Sequence, residues 1–419
     1  MRRRSQRPVA IFIPLWHEAG VIGQMLERNL AGIRYRNFHV FAGVYPNDLD
    51  TIRAVSAVVR RNPRVHVALV PHPGPTSKGD CLNAIWRRMR EYELRHGFRF
   101  RIVTTHDAED VIHPDSLHLI NWFSRDHAMV QIPVLPLPTP AFEWTHGLYC
   151  DEFAEYQTKD IPVRQQLGGF LPANGVGTGF AREALDRLAR ERGGRPFDPT
   201  CLTEDYETGF ELHRLGYRQI FVPLDAGLTA TREYFPRDAK ASIRQRTRWV
   251  TGISLQSWAR NGWRVSLAQV YWFWRDRKGL IGNLLTPLDL LLVPYAVARF
   301  PHLAGILPLW LWTCCQFTLG ISILQMAVRT QAASTIYGWR FAAAVPLRVW
   351  WGNLVNCAAT ARALLEYAAA WWDGAELTWA KTEHTYPVNP QWVPAPDPIP
   401  HPSTLGSLLA DARSTAQGD

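Results

Sequence analysis

The sequence predicts an α/β domain, a mostly parallel sheet with helices on both faces, followed by a membrane-associated helical segment. Three observations predict it. Short apolar runs alternate with helix-length amphipathic stretches over the first hundred residues, acidic residues cluster directly after one of those runs, and composition turns strongly apolar after Lys278. Alternating strand and helix patterns favour a parallel sheet. Such sheets bind ligands beyond the carboxyl ends of their strands, so chemistry is expected just after each run.

The elements follow in order. Val9–Pro14 (VAIFIP) reads as a strand and Glu18–Leu30 as a helix. His39–Tyr45 is a second strand, Asp48–Arg61 a helix, Val65–Pro71 a third strand, Lys78–Leu94 a helix and Phe100–Thr105 a fourth strand. Residues 129–260 are mixed, with a Gly-rich stretch at Gly168–Gly179, a helix at Glu204–Leu215, a strand at Gln219–Pro223 and a helix at Ala239–Asn261.

Leu303–Val328 carries no charged residue. At about 1.5 Å per residue it is long enough to span the ~30 Å hydrocarbon core. Leu280–Ala298 is a weaker candidate, interrupted by Asp289, Pro287 and Pro294. Arg and Lys flank the pair on both outer sides, so a two-span hairpin with both flanks in the cytosol fits best. Val349–Trp372, rich in Trp with Arg362 and Glu366, reads as a helix lying in the membrane interface. Residues 385–402 are Pro-rich and the remaining tail is expected to be disordered. The expected division is a catalytic domain over 1–265, a membrane hairpin with interfacial helices over 266–384, and a tail over 385–419.

The formal net charge is +9, which suits an anionic partner. Eighteen Trp residues favour carbohydrate-stacking clefts and membrane interfaces. Cys81, Cys150, Cys201, Cys314, Cys315 and Cys357 form no C-x-x-C pair and no zinc-spaced cluster, so free thiols are expected. The basic start lacks a signal-peptide run and a cleavage site, which places the catalytic region in the cytosol. No nucleic-acid-binding module is visible, and nucleic acid is not an expected partner.

Three constellations carry chemistry. His106-Asp107-Ala108-Glu109-Asp110 follows the strand Phe100–Thr105. Carboxylates there can hold a hard divalent cation through oxygen ligands; the plain alternative is a solvated acidic loop, or a helix start capped by Asp110 or Asp115. Thr203-Glu204-Asp205 opens a helix, where an ordinary cap is the competing reading. Gln245-Arg246-Thr247-Arg248-Trp249 lies inside a helix, offering Arg for phosphate oxygens and Trp for a sugar face. Its alternative is a basic face near anionic lipid.

The order of these pieces resembles family 2 glycosyltransferases: a nucleotide-binding α/β half, a D-x-D-like motif, an E-D motif, then Q-x-x-R-W. Further matches are Phe12–Glu18 (FIPLWHE), Lys78-Gly79 with Leu82-Asn83, His113–Leu117 and Asn174–Phe180. HDAEDVIHP, LTEDYETG, QRTRWVTGI, PLRVWWGN and WAKTEHTYP together look like the catalytic part of the bacteriophage N4 adsorption-type inner-membrane glycosyltransferases. Those relatives carry a cyclic-di-GMP-responsive domain, which is not expected within these residues.

The resemblance implies a GT-A-like, Rossmann-type nucleotide-sugar-binding fold and inverting transfer. Asp107 and Glu109 would hold Mg²⁺ or Mn²⁺, and Lys78 would help with the donor. Asp205 would be the general base with Glu204 as its neighbour. Arg248, with Arg246, would stabilise the leaving diphosphate, and Trp249 and Gln245 would serve the substrates. Glu18 and Asp48 are assigned to the donor, Asp48 to its nucleobase. The implied partners are a nucleotide-sugar donor, UDP-N-acetylhexosamine before UDP-hexose, a glycan or lipid-linked acceptor, the bilayer, and envelope-export proteins. The rival from another class is a non-catalytic membrane receptor or scaffold that retains the fold.

Overall fold

The computed structural model describes residues 5–224, 229–263, 265–300, 302, 306–374 and 386–387. The Pro-rich tail and most of the WAKTEHTYP segment lie outside them, as does the start of Leu303–Val328.

The chain opens as expected. The run β1 (Val9–Pro14), α1 (Ile22–Gly32), β2 (Phe38–Val44), α2 (Leu49–Val59), β3 (Val65–Leu69), α3 (Lys78–His96) and β4 (Ile102–Thr105) lays four parallel strands side by side. These strands are mostly apolar because helices cover both sheet faces. One core joins α1 and α2 to one face; the other seats Trp86 and Met89 of α3 on the opposite face.

The second half departs from a simple continuation. After α4 (Ser116–Phe123) come β5 (Met129–Gln131), β6 (Val134–Pro136), α5 (Trp144–Glu155), a π-helical turn at Tyr156–Asp160 and α6 (Ile161–Gln166). Next are β7 (Thr178–Ala181), α7 (Arg182–Glu191), α8 (Glu204–Arg214), β8 (Gln219–Phe221) and β9 (Thr231–Glu233). The seven-stranded order is β3-β2-β1-β4-β7-β5-β8, with β7 antiparallel to both β4 and β5. The expected Gly-rich loop thus ends in an internal strand. Gly179 explains the choice of residue: a Cβ there would fall 2.3 Å from Ile120 Cγ2. A separate parallel pair, β6 with β9, sits beside the acidic loop through the Val111–Arg232 bridge.

The helix expected at Ala239–Asn261 is three pieces: α9 (Ala239–Trp249), a π-helical stretch Val250–Gln256 and α10 (Ser257–Asn261). Then come α11 (Leu267–Arg277) and α12 (Gly279–Ala298), and finally helices Leu309–Tyr337, Trp339–Ala342 and Val345–Asp373. Leu309–Tyr337 is long and apolar enough to cross a membrane, with a best-window mean hydropathy of 1.4 and none of that window buried. Two segments of α12, Gly279–Asp289 and Leu291–Ala298, pass the same test only together, bent by 41°.

The helix read as interfacial does more than lie on a surface. Val345–Asp373 buries Arg348, Gly352, Val355, Ala359 and Thr360, and Arg348 grips Asp151 of α5 while Thr247 of α9 donates to Ala359 O. Its distal Trp371 and Trp372 stay exposed. The C-terminal helices therefore form a wall of the α/β half.

Candidate active site

A cleft of about 510 Å³ opens just beyond the carboxyl ends of β1, β2 and β4, where a parallel sheet leaves room for a ligand. Glu18, Lys78, Asp107, Glu109, Glu204, Asp205, Gln245, Arg248 and Trp249 all line it. Residues spread over more than two hundred positions of sequence are thus gathered in one cavity.

At its centre Lys78 Nζ lies 2.7 Å from Asp107 Oδ1. Burial alone would lower the Lys78 pKa, but Asp107, Glu204 and Asp205 outweigh it and hold the ammonium above its ordinary range. The acidic loop is braced from behind: fully buried His106 and Asp110 sit 2.7 Å apart, and Asp110 Oδ2 also accepts from the Asp107 backbone N–H at 3.2 Å. Neither expected cap forms. Asp110 is spent on His106, and Asp115 precedes α4 but pairs with Arg34 at 2.8 Å.

The donor set suits Mg²⁺ or Mn²⁺, since it is made of carboxylate oxygens. Glu233, buried on β9, was not visible in any motif. Burial, then Asp110, Glu109 and Asp107, push its carboxyl well above the ordinary range, a sign of uncompensated negative charge that a divalent cation relieves. Oδ1 of buried Asp110 has no hydrogen-bond partner. Among the described residues no three His, Cys, Asp or Glu side chains are pre-gathered as a ligand set. Asp107 with Glu109 fits the sparse protein ligation of Mg²⁺, completed by substrate phosphates.

Glu204 and Asp205 open α8, and Thr203 at its N-cap makes no side-chain capping bond. Burial, then Asp205, raise the Glu204 carboxyl to about 8. Burial raises Asp205 as well, against the pull of Lys78, the Tyr206 N–H at 2.8 Å and Arg248. Burial thus pushes both carboxyls upward, with Lys78 and Arg248 pulling Asp205 back toward its charged form. Gly175 (φ 75°) closes over them: a Cβ there would lie 2.7 Å from Asp205 Oδ2 and 3.2 Å from Lys78 Nζ.

Gln245, Arg248 and Trp249 of α9 face the cleft; Arg246 does not. Residues three and four apart share a helix face, whereas a neighbour one position on points elsewhere. Arg246 is buried, paired with Glu152 at 2.8 Å and Asn356 Oδ1 at 2.7 Å, over the Tyr149 ring. It binds α9 to α5 and to the Val345–Asp373 helix, so its assignment to the diphosphate is corrected. Trp249 packs in a ring cluster with Tyr149, Phe153 and Phe235.

Asp48 is the second correction. It caps α2 by accepting from Thr51 N and holds the turn after β1 by accepting from His17 N at 2.6 Å, where His17 has φ 55°. It is buried and does not line the cleft. Trp16 and Tyr45, ring centroids 5.2 Å apart, line that end instead. The opposite end, also unread in the sequence, is walled by Glu152, Phe153, Glu155, Tyr156, Asp276 and Arg329.

The description "Glycosyltransferase like family 2" matches residues 6–252. The chain belongs to glycosyltransferase family 2. Bacteriophage adsorption protein B of Escherichia coli K12 is 37% identical over 416 residues, covering 91% of this chain and 55% of that protein. Bacteriophage N4 adsorption protein B of Escherichia coli O157:H7 matches with the same figures. The chain thus spans about half the length of these relatives, 55%. Among solved structures, the mannosyltransferase PcManGT from Pyrobaculum calidifontis, in complex with GDP-Man and Mn²⁺, is similar with a TM-score of 0.47 at 18% identity, covering 83% of this chain and 88% of that one. Glucosyl-3-phosphoglycerate synthase from Mycobacterium tuberculosis, in complex with phosphoglyceric acid, gives 0.34 at 18% identity, covering 58% and 79%. The architecture is the mixed α/β GT-A-like sheet of the family, which implies a nucleotide-sugar donor and an acceptor.

Proposed function

We propose that this chain is a membrane-bound, inverting glycosyltransferase. It moves a sugar from a nucleoside-diphosphate sugar to a hydroxyl of a glycan or lipid-linked acceptor. UDP-N-acetylhexosamine is the first donor to test and UDP-hexose the second. Residues 1–265 form the catalytic domain and 266–384 its membrane-associated part, anchored in a bacterial inner membrane with the cleft on the cytoplasmic side. The observation that carries the reading is the placement of Asp205 in the same cleft as Lys78, Asp107 and Arg248.

The chemistry follows from those positions. Asp205, beside Lys78 and Arg248, takes the acceptor proton as the hydroxyl oxygen bonds to the anomeric carbon. The bond from that carbon to the donor diphosphate breaks, and its electron pair leaves on the nucleoside diphosphate. Arg248 and Lys78 offset the charge that develops there. Glu204, whose carboxyl burial and Asp205 raise to about 8, is the neighbour of the base rather than a second one. Trp249 offers a ring face to the acceptor, Gln245 its amide, and Glu18 lines the nucleoside end. Asp107 and Glu109 are the residues to hold Mg²⁺ or Mn²⁺, which when bound neutralises diphosphate charge.

The test is nucleoside diphosphate release by membranes carrying the full-length chain, over a panel of donors with and without Mn²⁺. Release that depends on donor identity and is lost in Asp205→Asn supports the reading. Donor binding with no turnover under any acceptor extract would favour the non-catalytic receptor instead.

A further inference from the structure

Tyr206 directly follows Asp205 at the start of α8, and its two donors reach different partners. Its backbone N–H donates to Asp205 Oδ1 at 2.8 Å, while its phenol donates to Asp276 Oδ2 of α11 at 2.7 Å. The side chain is buried, and its ring packs edge-on against Phe170 with centroids 5.4 Å apart. Asp276 is itself fixed. Both terminal nitrogens of buried Arg164 donate to its carboxylate at 3.0 Å, and Arg164 Nε donates to Phe170 O at 2.7 Å. The Asp276 carbonyl accepts from Ser254 Oγ of the π-helical stretch at 2.8 Å. Three elements, α6, α8 and Val250–Gln256, thus converge on one residue of α11.

The start of a helix leaves its first N–H groups without intrahelical partners, and a side-chain cap ordinarily satisfies one and orders the turn. In α8 that device is missing, since Thr203 makes no side-chain capping bond. The turn that carries Glu204 and Asp205 is held from outside instead. Leu202 N donates to Gln256 Oε1 at 3.0 Å just ahead of it, and the Tyr206 phenol pins it to α11. A hydrogen bond from a hydroxyl to a carboxylate is of the stronger, charge-assisted kind. Tyr206 and Asp276 both line the cleft. Yet the phenol proton is directed at Asp276, and both Asp276 oxygens are engaged by Arg164 and Tyr206, which suits them to hold rather than to react. A base must stay within hydrogen-bond reach of the attacking hydroxyl, and a displacement of ~1 Å can cost about 10²-fold. A clamp one residue from Asp205 opposes that displacement.

We propose that Tyr206 is a positioning residue for the reaction: clamped by Asp276 of α11, it fixes the first turn of α8 and with it the place of Asp205. The inference rests on the glycosyltransferase reading and adds to it the residues that aim the base. It also ties the base to the helix that leads, after Lys278 alone, into α12.

The test uses the full-length chain in nanodiscs, with Tyr206→Phe, Asp205→Asn and the two together. Tyr206→Phe removes one hydroxyl, keeps the ring against Phe170 and leaves Asp276 with Arg164, so no buried charge is stranded. Turnover of the donor that the wild type uses is expected to fall at least tenfold, with donor affinity by calorimetry kept. In the Asp205→Asn background the same substitution is expected to cost no further turnover, because residues that act as one unit are not additive. An equal loss in both backgrounds would show that Tyr206 acts on its own or on the fold at large, and would overturn the proposal. Near-normal turnover in Asp205→Asn would do so as well, by removing the base from that position. Hydrogen exchange over residues 203–208, read by mass spectrometry, needs no turnover. Tyr206→Phe is expected to speed exchange there at least tenfold, and unchanged exchange overturns the clamp. No turnover of any donor by the wild type, with faster exchange in Tyr206→Phe, would sink the glycosyltransferase reading and leave the clamp standing. Wild-type turnover, with exchange and rate both unchanged in Tyr206→Phe, would do the reverse.

Discussion

Arg348 and Asp151 form a fully buried ion pair across the junction between the catalytic half and the C-terminal helix. Nε and Nη2 of Arg348 each donate to one Asp151 oxygen at 2.7 Å, and Nη1 donates to Ala141 O at 2.8 Å. Gly147 of α5 makes the approach possible, since a Cβ there would meet Arg348 Cδ at 2.9 Å. Removing one partner strands a buried charge, at a cost of ~3–5 kcal/mol. Arg348→Ala is expected to lower the midpoint of thermal unfolding sharply. An Arg348→Met, Asp151→Leu double variant is expected to recover much of that loss. Equal destabilisation of single and double variants would show that the pair is not what holds the helix.

Asp107→Asn tests the cation assignment. The substitution keeps the side chain's size and its contact with Lys78 while removing the charge a cation needs. Mn²⁺-dependent enhancement of UDP-sugar affinity, read by calorimetry, is expected to vanish. Affinity that still rises with Mn²⁺ would move the site to Glu109 and Glu233.

Asp205→Asn tests the base. Turnover is expected to fall by ~10²–10⁴ with donor affinity nearly intact. Thr203, not Asp205, occupies the N-cap of α8, so folding should change little. Collapse of affinity together with turnover would place Asp205 in the donor site.

The half-buried His39–His66 pair, 2.9 Å apart, predicts an acid-sensitive fold. Burial and His39 depress the His66 pKa from 6.5 to about 4. Between those values the unfolded chain binds more protons than the folded one, so stability falls as pH drops from about 6.5 to about 4. His66→Gln is expected to flatten the unfolding midpoint across that window. An unchanged slope would assign acid sensitivity to other groups.

How far the sequence could be read follows from what each element buries. β1 to β4 were legible because strands covered on both faces are mostly apolar, and α3 because its Ser77 cap and apolar spacing agree. β7 was hidden because its Thr-Gly-Phe-Ala text carries a glycine chosen for close approach to Ile120. β9 reads Thr-Arg-Glu, polar residues buried for the site, so neither the strand nor Glu233 had an apolar signal. Arg246 was misassigned by adjacency to a motif, although the spacing from Arg248 already put it on another face. Asp48 carried the signature of an N-cap before α2, and that local role prevailed. Arg329 had no signal, because its place in the cleft lining arises only when a distant helix docks on α5.

Gly175 tests whether the cleft's geometry, beyond its residue types, sets the rate. Its φ of 75° lies in the left-handed region, and a Cβ would come within 2.7 Å of Asp205 Oδ2. Gly175→Ala therefore carries two penalties. The first is backbone strain, roughly 1–2 kcal/mol for an L-residue. The second is displacement of the base, since a methyl group must push Asp205 or Lys78 aside. Gly97 separates them: it has φ 67° at the end of α3, and a Cβ there meets nothing within 4 Å. Gly97→Ala is expected to lose a similar increment of stability with turnover kept. Gly175→Ala is expected to lose that increment and, because a base shifted by even ~1 Å can cost about 10²-fold, most of its turnover. Donor affinity and thermal midpoint measured beside turnover decide the matter. If both variants lose stability equally and neither loses turnover, Asp205 tolerates displacement, and a residue that tolerates it is not positioned as the base.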